Sequence, residues 1–288
     1  MATIVSNTLP SVELGDVASL LAGRHIAVLT GAGLSTDSGI PDYRGQGASK
    51  RTPMNISDFL GSHRSRQRYW AGAHVGWRTF SAAEPNPGHL SLVAMEQHEI
   101  VTGIISQNVD GLHRRAGTAH VVDLHGTLDR VTCLDCDQMF DRSGVERQLA
   151  TSNPWLADIA QAVLAPDGDV LVSDYEQLIV PTCTVCGGML KPDVVFFGEF
   201  VPKKIFSSAE AIVKRSDALI VAGSSLAVNS GLRLVEVAKK RKMPIVIINR
   251  GPTKGDDKAT IKVDGGTSES LAALAQLLGA SRLDEDIE

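Results

Sequence analysis

Residues 25–45 read HIAVLTGAGLSTDSGIPDYRG. A short apolar run through Ile26, Val28 and Thr30 ends in Gly31-Ala32-Gly33, so a buried strand feeds straight into a turn. Glycines there let the backbone approach a diphosphate and aim its N–H groups at it, and a following helix N-terminus would add positive potential. The fingerprint is partial. Thr36 stands at the third glycine position of G-x-G-x-x-G, the next glycine is Gly39, and no acid closes a second strand about twenty residues on. On this stretch alone a nucleotide site and a tight turn both stay open. Beyond it, Asp42, Tyr43 and Arg44 add an acid, an aromatic ring and a guanidinium to the loop.

Similar apolar runs recur at 101–106 (VTGIIS), 121–124 (VVDL), 218–222 (ALIVA), 244–249 (PIVIIN) and, more weakly, 261–263 (IKV). Continuous apolarity predicts parallel strands covered on both faces. Helical patterns at 90–97, 208–214 and 231–241 lie between them, which predicts an α/β, Rossmann-like doubly wound parallel sheet. Two stretches break the rhythm. Residues 45–87 hold GQGASKRTP, a helix expected over 64–73, and EPNPGH; residues 128–190 hold all four cysteines and LAPDGDV. Both are expected to be insertions that build a smaller lobe, one helical and one holding the cysteines, within a single unit spanning 1–288.

The whole composition fits that picture. With 288 residues, 43% hydrophobic and a net charge of −5, the chain can bury a large core, which excludes disorder and coiled coil. An acidic balance argues against direct nucleic-acid binding. There is no apolar run of membrane-spanning length. The N-terminal residues lack a basic or Arg-rich leader, so a cytoplasmic, reducing setting is expected, in which the cysteines stay thiols.

Cys133-Leu-Asp-Cys136 and Cys183-Thr-Val-Cys186 are paired C-x₂-C turns. Each turn aims two thiolates at one point, and two turns complete a tetrahedron for a structural Zn²⁺. Free thiols or a redox dithiol are the competing readings. The strand at 101–106 ends in Gln107, Asn108 and Asp110, side chains suited to ribose hydroxyls and a carboxamide, or to an ordinary turn and helix cap. His125 follows the strand at 121–124 and can be a general base or a structural histidine. Gly223-Ser224-Ser225 and Asn249-Arg250-Gly251 end two later strands, as nucleotide contacts or as plain turns. Val195, Phe196, Phe197, Gly198 and Glu199 close an extended run that either offers an edge to a peptide or is a buried connection.

In this order, GAGLSTDSGIPDYRG, SQNVDGLHRRAG, LHGTL, the two cysteine pairs, KPDVVFFGE, GSSLAVNSG and the turn at Asn249 resemble the sirtuin family of NAD-dependent protein-lysine deacylases over about residues 15–280. The pattern is most similar to the class II branch, and the N-terminal residues suit a bacterial member. The resemblance implies an enzyme with NAD as co-substrate, one structural zinc per chain, and acyl-lysine-bearing proteins as substrates. It assigns cofactor contacts to Gly31, Ala32, Gly33, Ser35, Thr36, Asp42, Tyr43, Arg44, Gln107, Asn108, Asp110, Gly223, Ser224, Ser225, Asn249, Arg250, Gly251 and Thr267. Catalysis falls to His125 with Asn108, zinc to Cys133, Cys136, Cys183 and Cys186, and the peptide strand to Val195 through Glu199.

The implied reaction begins with the acyl oxygen attacking the nicotinamide-bearing ribose carbon and expelling nicotinamide. His125 then takes a ribose hydroxyl proton so that this oxygen attacks the resulting imidate. Water completes the cleavage to free lysine and O-acyl-ADP-ribose. ADP-ribosyl transfer or NAD hydrolysis shares the first step, and a non-catalytic NAD or ADP-ribose sensor is the third reading. Arg250 and Thr267 depart from the usual family residues. Residues 64–80 hold no Tyr-x-x-Arg pair, so removal of acidic acyl groups such as succinyl is not expected.

Overall fold

A computed structural model describes residues 11–43, 53–159 and 164–280. In chain order its elements are α1 (Ser11–Leu21), β1 (Ile26–Thr30), α2 (Ile56–Gly61), α3 (His63–Ser81), α4 (Pro87–Gln97), β2 (Val101–Ser106), α5 (Leu112–Ala116), β3 (Val121–Asp123), β4 (Gly126–Cys133), β5 (Met139–Asp141), α6 (Arg142–Ser152), β6 (Leu190–Val194), α7 (Lys203–Lys214), β7 (Ala218–Ala222), α8 (Asn229–Lys240), β8 (Ile245–Ile248), β9 (Ile261–Val263) and α9 (Thr267–Leu277), with short 3₁₀ turns between some of them. No described helix is long and apolar enough to cross a membrane.

The expected parallel strands assemble into a six-stranded sheet of order β3-β2-β1-β7-β8-β9. Every pairing in it is parallel. Alternate side chains serve opposite faces, which is why the runs had to be apolar throughout. Ile26 and Val28 of β1 pack with α1, α4 and α9 through Leu14, Leu92 and Leu271, whereas Ala27 and Leu29 pack with α7 and α8 through Ile212 and Leu234. From β1 the order runs one way to β2 and β3 and the other way to β7, β8 and β9. The crevice that such a reversal opens lies beyond Thr30 and Ala222, at the carboxyl ends of β1 and β7.

A second, antiparallel sheet of order β5-β4-β6 belongs to a smaller lobe with α2, α3 and α6. Its core is separate and aromatic: Phe59, Tyr69, Trp70 and Phe196 pack with Val131, Leu149, Leu156 and Leu190. The helix expected over 64–73 runs from His63 to Ser81, capped by the Ser62 side chain, which accepts from the Ser65 N–H. It survives two internal glycines because other backbone lies against them. A Cβ on Gly72 would sit 2.3 Å from the Val170 carbonyl oxygen, and one on Gly76 would sit 2.0 Å from that of Gly168. Gly72 and Gly76 thereby draw residues 168–170 onto α3, beside the crevice.

Candidate active site and metal centre

Close backbone contact builds the floor of the crevice. The Gly31 N–H donates to the Ala222 carbonyl (3.0 Å) and the Gly33 N–H to that of Gly223 (2.9 Å). A Cβ on Gly31 would lie 2.7 Å from the Gly223 oxygen, and Gly223 itself, at φ +66°, would place a Cβ 2.4 Å from the Leu34 nitrogen. Only glycine satisfies both positions. The expected α-helix N-terminus does not follow. Instead residues 32–34 and 36–38 form two short 3₁₀ turns, because Ser35 and Gly39 close them through N–H bonds to the Ala32 and Thr36 carbonyls. Asn86 fastens this loop to the fold, donating to the Leu34 carbonyl at 2.7 Å and to Ser38 Oγ at 3.0 Å.

The polar run after β2 is wired to the same loop. Asn108 Nδ2 donates to the Gly31 carbonyl and to Ser35 Oγ, each at 3.0 Å, so its Oδ1 is not spent on either bond. Ser35 Oγ donates to Asp110 Oδ2 at 2.6 Å, and the Leu112 N–H donates to Asp110 Oδ1 at 2.9 Å. Burial pushes the Asp110 carboxyl up from its ordinary value, while those two bonds pull it back. Gln107 Nε2 donates to Ser224 Oγ at 2.8 Å and to the Thr30 carbonyl at 3.2 Å, tying β2 to the β1 and β7 turns.

His125 stands between β3 and β4. Its Nδ1 lies 2.9 Å from the Gln107 carbonyl, which can only accept, so Nδ1 carries the proton. Nε2 is then the acceptor, and Ser230 Oγ meets it at 2.8 Å. Burial holds the imidazole below its ordinary range, with the Gln107 bond opposing. The ring is therefore a neutral base near pH 7 with its basic nitrogen fixed.

A cavity of about 1460 Å³ joins these parts. It is lined by every expected cofactor residue except Arg44 (Gly31, Ala32, Gly33, Ser35, Thr36, Asp42, Tyr43, Gln107, Asn108, Asp110, Gly223, Ser224, Ser225, Asn249, Arg250, Gly251 and Thr267) together with His125 and residues 195–199. Arg44 lies outside the described residues. Residues 195–199 do not continue β6. The ladder ends at Val194, and Gly198 at φ +87° turns the chain so that the Glu199 carboxylate accepts from the Phe196 N–H at 2.7 Å. Phe196 is buried in the small-lobe core, while Phe197 is 45% exposed and meets Tyr43 edge-on at 6.2 Å.

Some lining residues were given no role by the sequence: Arg233 and Tyr69, together with Ser230 within GSSLAVNSG and Asp167 and Asp169 within LAPDGDV. Ser230 joins the site by a contact across 105 residues. The helical pattern that marks α8 was a pointer to it, since α8 opens at Asn229 immediately after the β7 turn.

The four cysteine sulfurs lie within 4.8 Å of one another, with Cys133–Cys186 at 3.5 Å and Cys136–Cys183 at 3.8 Å. A tetrahedron with Zn–S near 2.3 Å needs sulfurs about 3.8 Å apart. Backbone N–H groups of Asp135, Val185 and Gly188 point at Cys133, Cys183 and Cys186 (3.4–3.5 Å), as thiolates in such turns require. The four cysteines are positioned to bind a zinc ion and lie off the cavity wall, so they suit support and not chemistry.

The Sir2 family model matches residues 31–230. NAD-dependent protein deacetylase 1 of Mycobacterium avium is 49% identical over 275 residues, covering 94% of this chain and 98% of its own. NAD-dependent protein deacetylase 1 of Streptomyces coelicolor is 47% identical, with 93% and 90% covered. A solved Sir2–p53 peptide–NAD⁺ structure, 30% identical, superposes with a TM-score of 0.77 over 92% of this chain and 98% of that one.

Proposed function

The chain belongs to the Sir2 family, and from that premise we propose that its cavity removes acyl groups from protein lysine side chains. NAD is the co-substrate; nicotinamide, O-acyl-ADP-ribose and free lysine are the products. NAD supplies the ribose carbon that accepts the acyl oxygen. The observation that carries the reading is the fixed tautomer of His125, which leaves Nε2 as the basic atom beside the cavity that the glycine loop lines. There Nε2 takes the proton of a ribose hydroxyl, a step commonly worth about 10²–10⁴-fold.

The remaining residues bind and orient. The turns at Gly31 through Gly33 and Gly223 through Ser225 let the diphosphate approach the backbone closely, while the Gly31, Gly33 and Gly223 N–H groups themselves hold the Ala222, Gly223 and Ile248 carbonyls. Asn108 and Asp110 hold the nicotinamide ribose and carboxamide, and Asn249, Arg250, Gly251 and Thr267 hold the adenosine end. The 195–199 segment receives the acyl-lysine. An uncharged acyl group fits this reading, since Asp167 and Asp169 stand with Met54, Tyr69 and Leu128 on the cavity wall. Zinc at the cysteines holds the small lobe together.

Incubation with NAD and a panel of acetyl-, longer acyl- and succinyl-lysine peptides tests the reading. Nicotinamide release and peptide deacylation, followed by mass spectrometry, are expected to depend on each other, and deacylation is expected to fall by about 10²-fold or more in His125→Ala. Nicotinamide released without peptide would replace the reading with NAD hydrolysis. ADP-ribose found on the peptide would replace it with ADP-ribosyl transfer.

A further inference from the structure

Arg233 on the cavity wall, and Lys203 and Lys204 on a neighbouring helix, have no salt-bridge partner among the described residues. Arg233 lies one turn beyond Ser230 on α8, so it shares the face that reaches His125, and it lines the cavity. Its guanidinium carbon sits 4.0 Å from the centroid of the Phe206 ring on α7. Lys203, one turn before Phe206, shares that face of α7 and is exposed, as is Lys204 beside it. The salt bridges of the described residues include none of these three, and the neighbouring carboxylates are engaged elsewhere. Glu236 meets Lys258 at 3.5 Å, Glu210 meets Lys214 at 3.1 Å, and Glu199 meets Lys191 at 3.0 Å. In a chain of net charge −5 this rim is locally basic. Phe200, 95% exposed, puts an apolar side chain at the same mouth.

We propose that Arg233, supported by Lys203, selects acyl-lysine polypeptides that carry an acidic side chain within about two residues of the modified lysine. This rests on the deacylase reading and adds the class of substrate to it. Positions i and i+3 of a helix are about 5–6 Å apart, and an extended peptide advances about 3.3 Å per residue, so Arg233 stands within about two residues' span of the His125 contact at Ser230. A guanidinium lying on an aromatic ring is already oriented, and its planar fork matches a carboxylate. Little side-chain freedom is then lost on binding, which places the ion pair at the upper end of what an exposed pair yields.

Three fluorescent acyl-lysine peptides, identical except for Glu, Gln or Lys at the flanking positions, test this. With wild type at low salt, KM should rise from the Glu to the Gln to the Lys peptide, each step about two- to fivefold, with kcat little changed. The steps should shrink at 0.5 M salt. Arg233→Gln should flatten the order, Arg233→Glu should invert it, and Lys203→Glu should shift it in the same direction by less. Equal KM values for the three peptides, or an order unmoved by Arg233→Glu, would overturn the proposal. If no peptide were turned over, the deacylase reading would fail. Anisotropy of the same peptides would still decide the selection, since equal affinities would overturn it.

Discussion

Ser230 Oγ lies 2.8 Å from Nε2 of His125, the ring nitrogen that the Gln107 carbonyl leaves as acceptor. A helix on one side of the cavity thus steadies a base that the opposite strand ends supply. Removing the base and removing its support should differ. His125→Ala is expected to lower kcat by about 10²-fold or more. Ser230→Ala keeps the Gln107 bond and should lower it by less than about tenfold. Steady-state kinetics on one peptide separates them, and equal losses in the two variants would contradict the assignment.

The pH profile follows from the same geometry. Burial lowers the His125 pKa, so the basic form persists to a lower pH than in free histidine. The acid limb of kcat/KM should have its midpoint below about 6.5, with activity falling as pH drops through it. An acid limb centred above that value would contradict His125 as the base.

Two further histidines bear on stability and not on chemistry. His113 Nε2 lies 2.9 Å from Thr30 Oγ1, and its ring meets that of His89 edge-on at 4.9 Å. Burial, and Arg115 nearby, hold His89 to about 4, and burial holds His113 well below the ordinary range. Below about pH 6.5 the unfolded chain binds protons that the folded one refuses, so stability is complete above that pH and declines as pH falls toward 4. For His89 alone the loss is of order 3 kcal/mol by pH 4. Urea midpoints at pH 7, 6 and 5 should fall in turn, and His89→Gln should flatten the slope.

Gly223→Ala tests the crevice floor. The new Cβ would meet the Leu34 nitrogen at 2.4 Å from a left-handed backbone position. Such strain amounts to about 1–3 kcal/mol, and relief requires the Gly31–Gly33 loop to move away. Calorimetry with NAD should show affinity reduced by more than tenfold, whereas an unchanged affinity would remove this turn from the cofactor site.

Native mass spectrometry should find one zinc per chain, lost in Cys136→Ser. Without metal, sulfurs as close as 3.5 Å take up protons and no longer share a common ligand, and the antiparallel sheet loses its tie. Proteolysis is then expected within 126–194 before the parallel sheet is cut. A metal-free chain with full resistance would refute the zinc assignment.

The parallel sheet was legible because its strands are buried on both faces, and 101–106, 218–222 and 261–263 begin and end where expected. Strand β4 was not, whereas β6 falls in the extended run read at 191–199 and ends sooner, at Val194. Gly126–Cys133 mixes Thr127, Asp129 and Arg130 with Leu128 and Val131, and its pairing with β6 shifts between Gly126 and Val131, so no period of two survives. In β6, Lys191 is buried because its Nζ reaches the Val194 carbonyl and Glu199. The site glycines and His125 stood out through local motifs. Arg233 did not, and Ser230 lay within GSSLAVNSG without a role, because what places them is packing between segments distant in the chain.

One strand has a role beyond its sheet. β4 begins at Gly126, the residue after His125, and ends at Cys133, a cysteine of the proposed zinc cluster. Roughly 23 Å of extended chain therefore links the base to the metal anchor with no loop between them. Metal bound at one end would act as a guy-wire for the other. Splaying the thiolates, by oxidation or chelation, would slacken the strand on which the imidazole hangs, so a site outside the cavity could still govern how well the base is aimed.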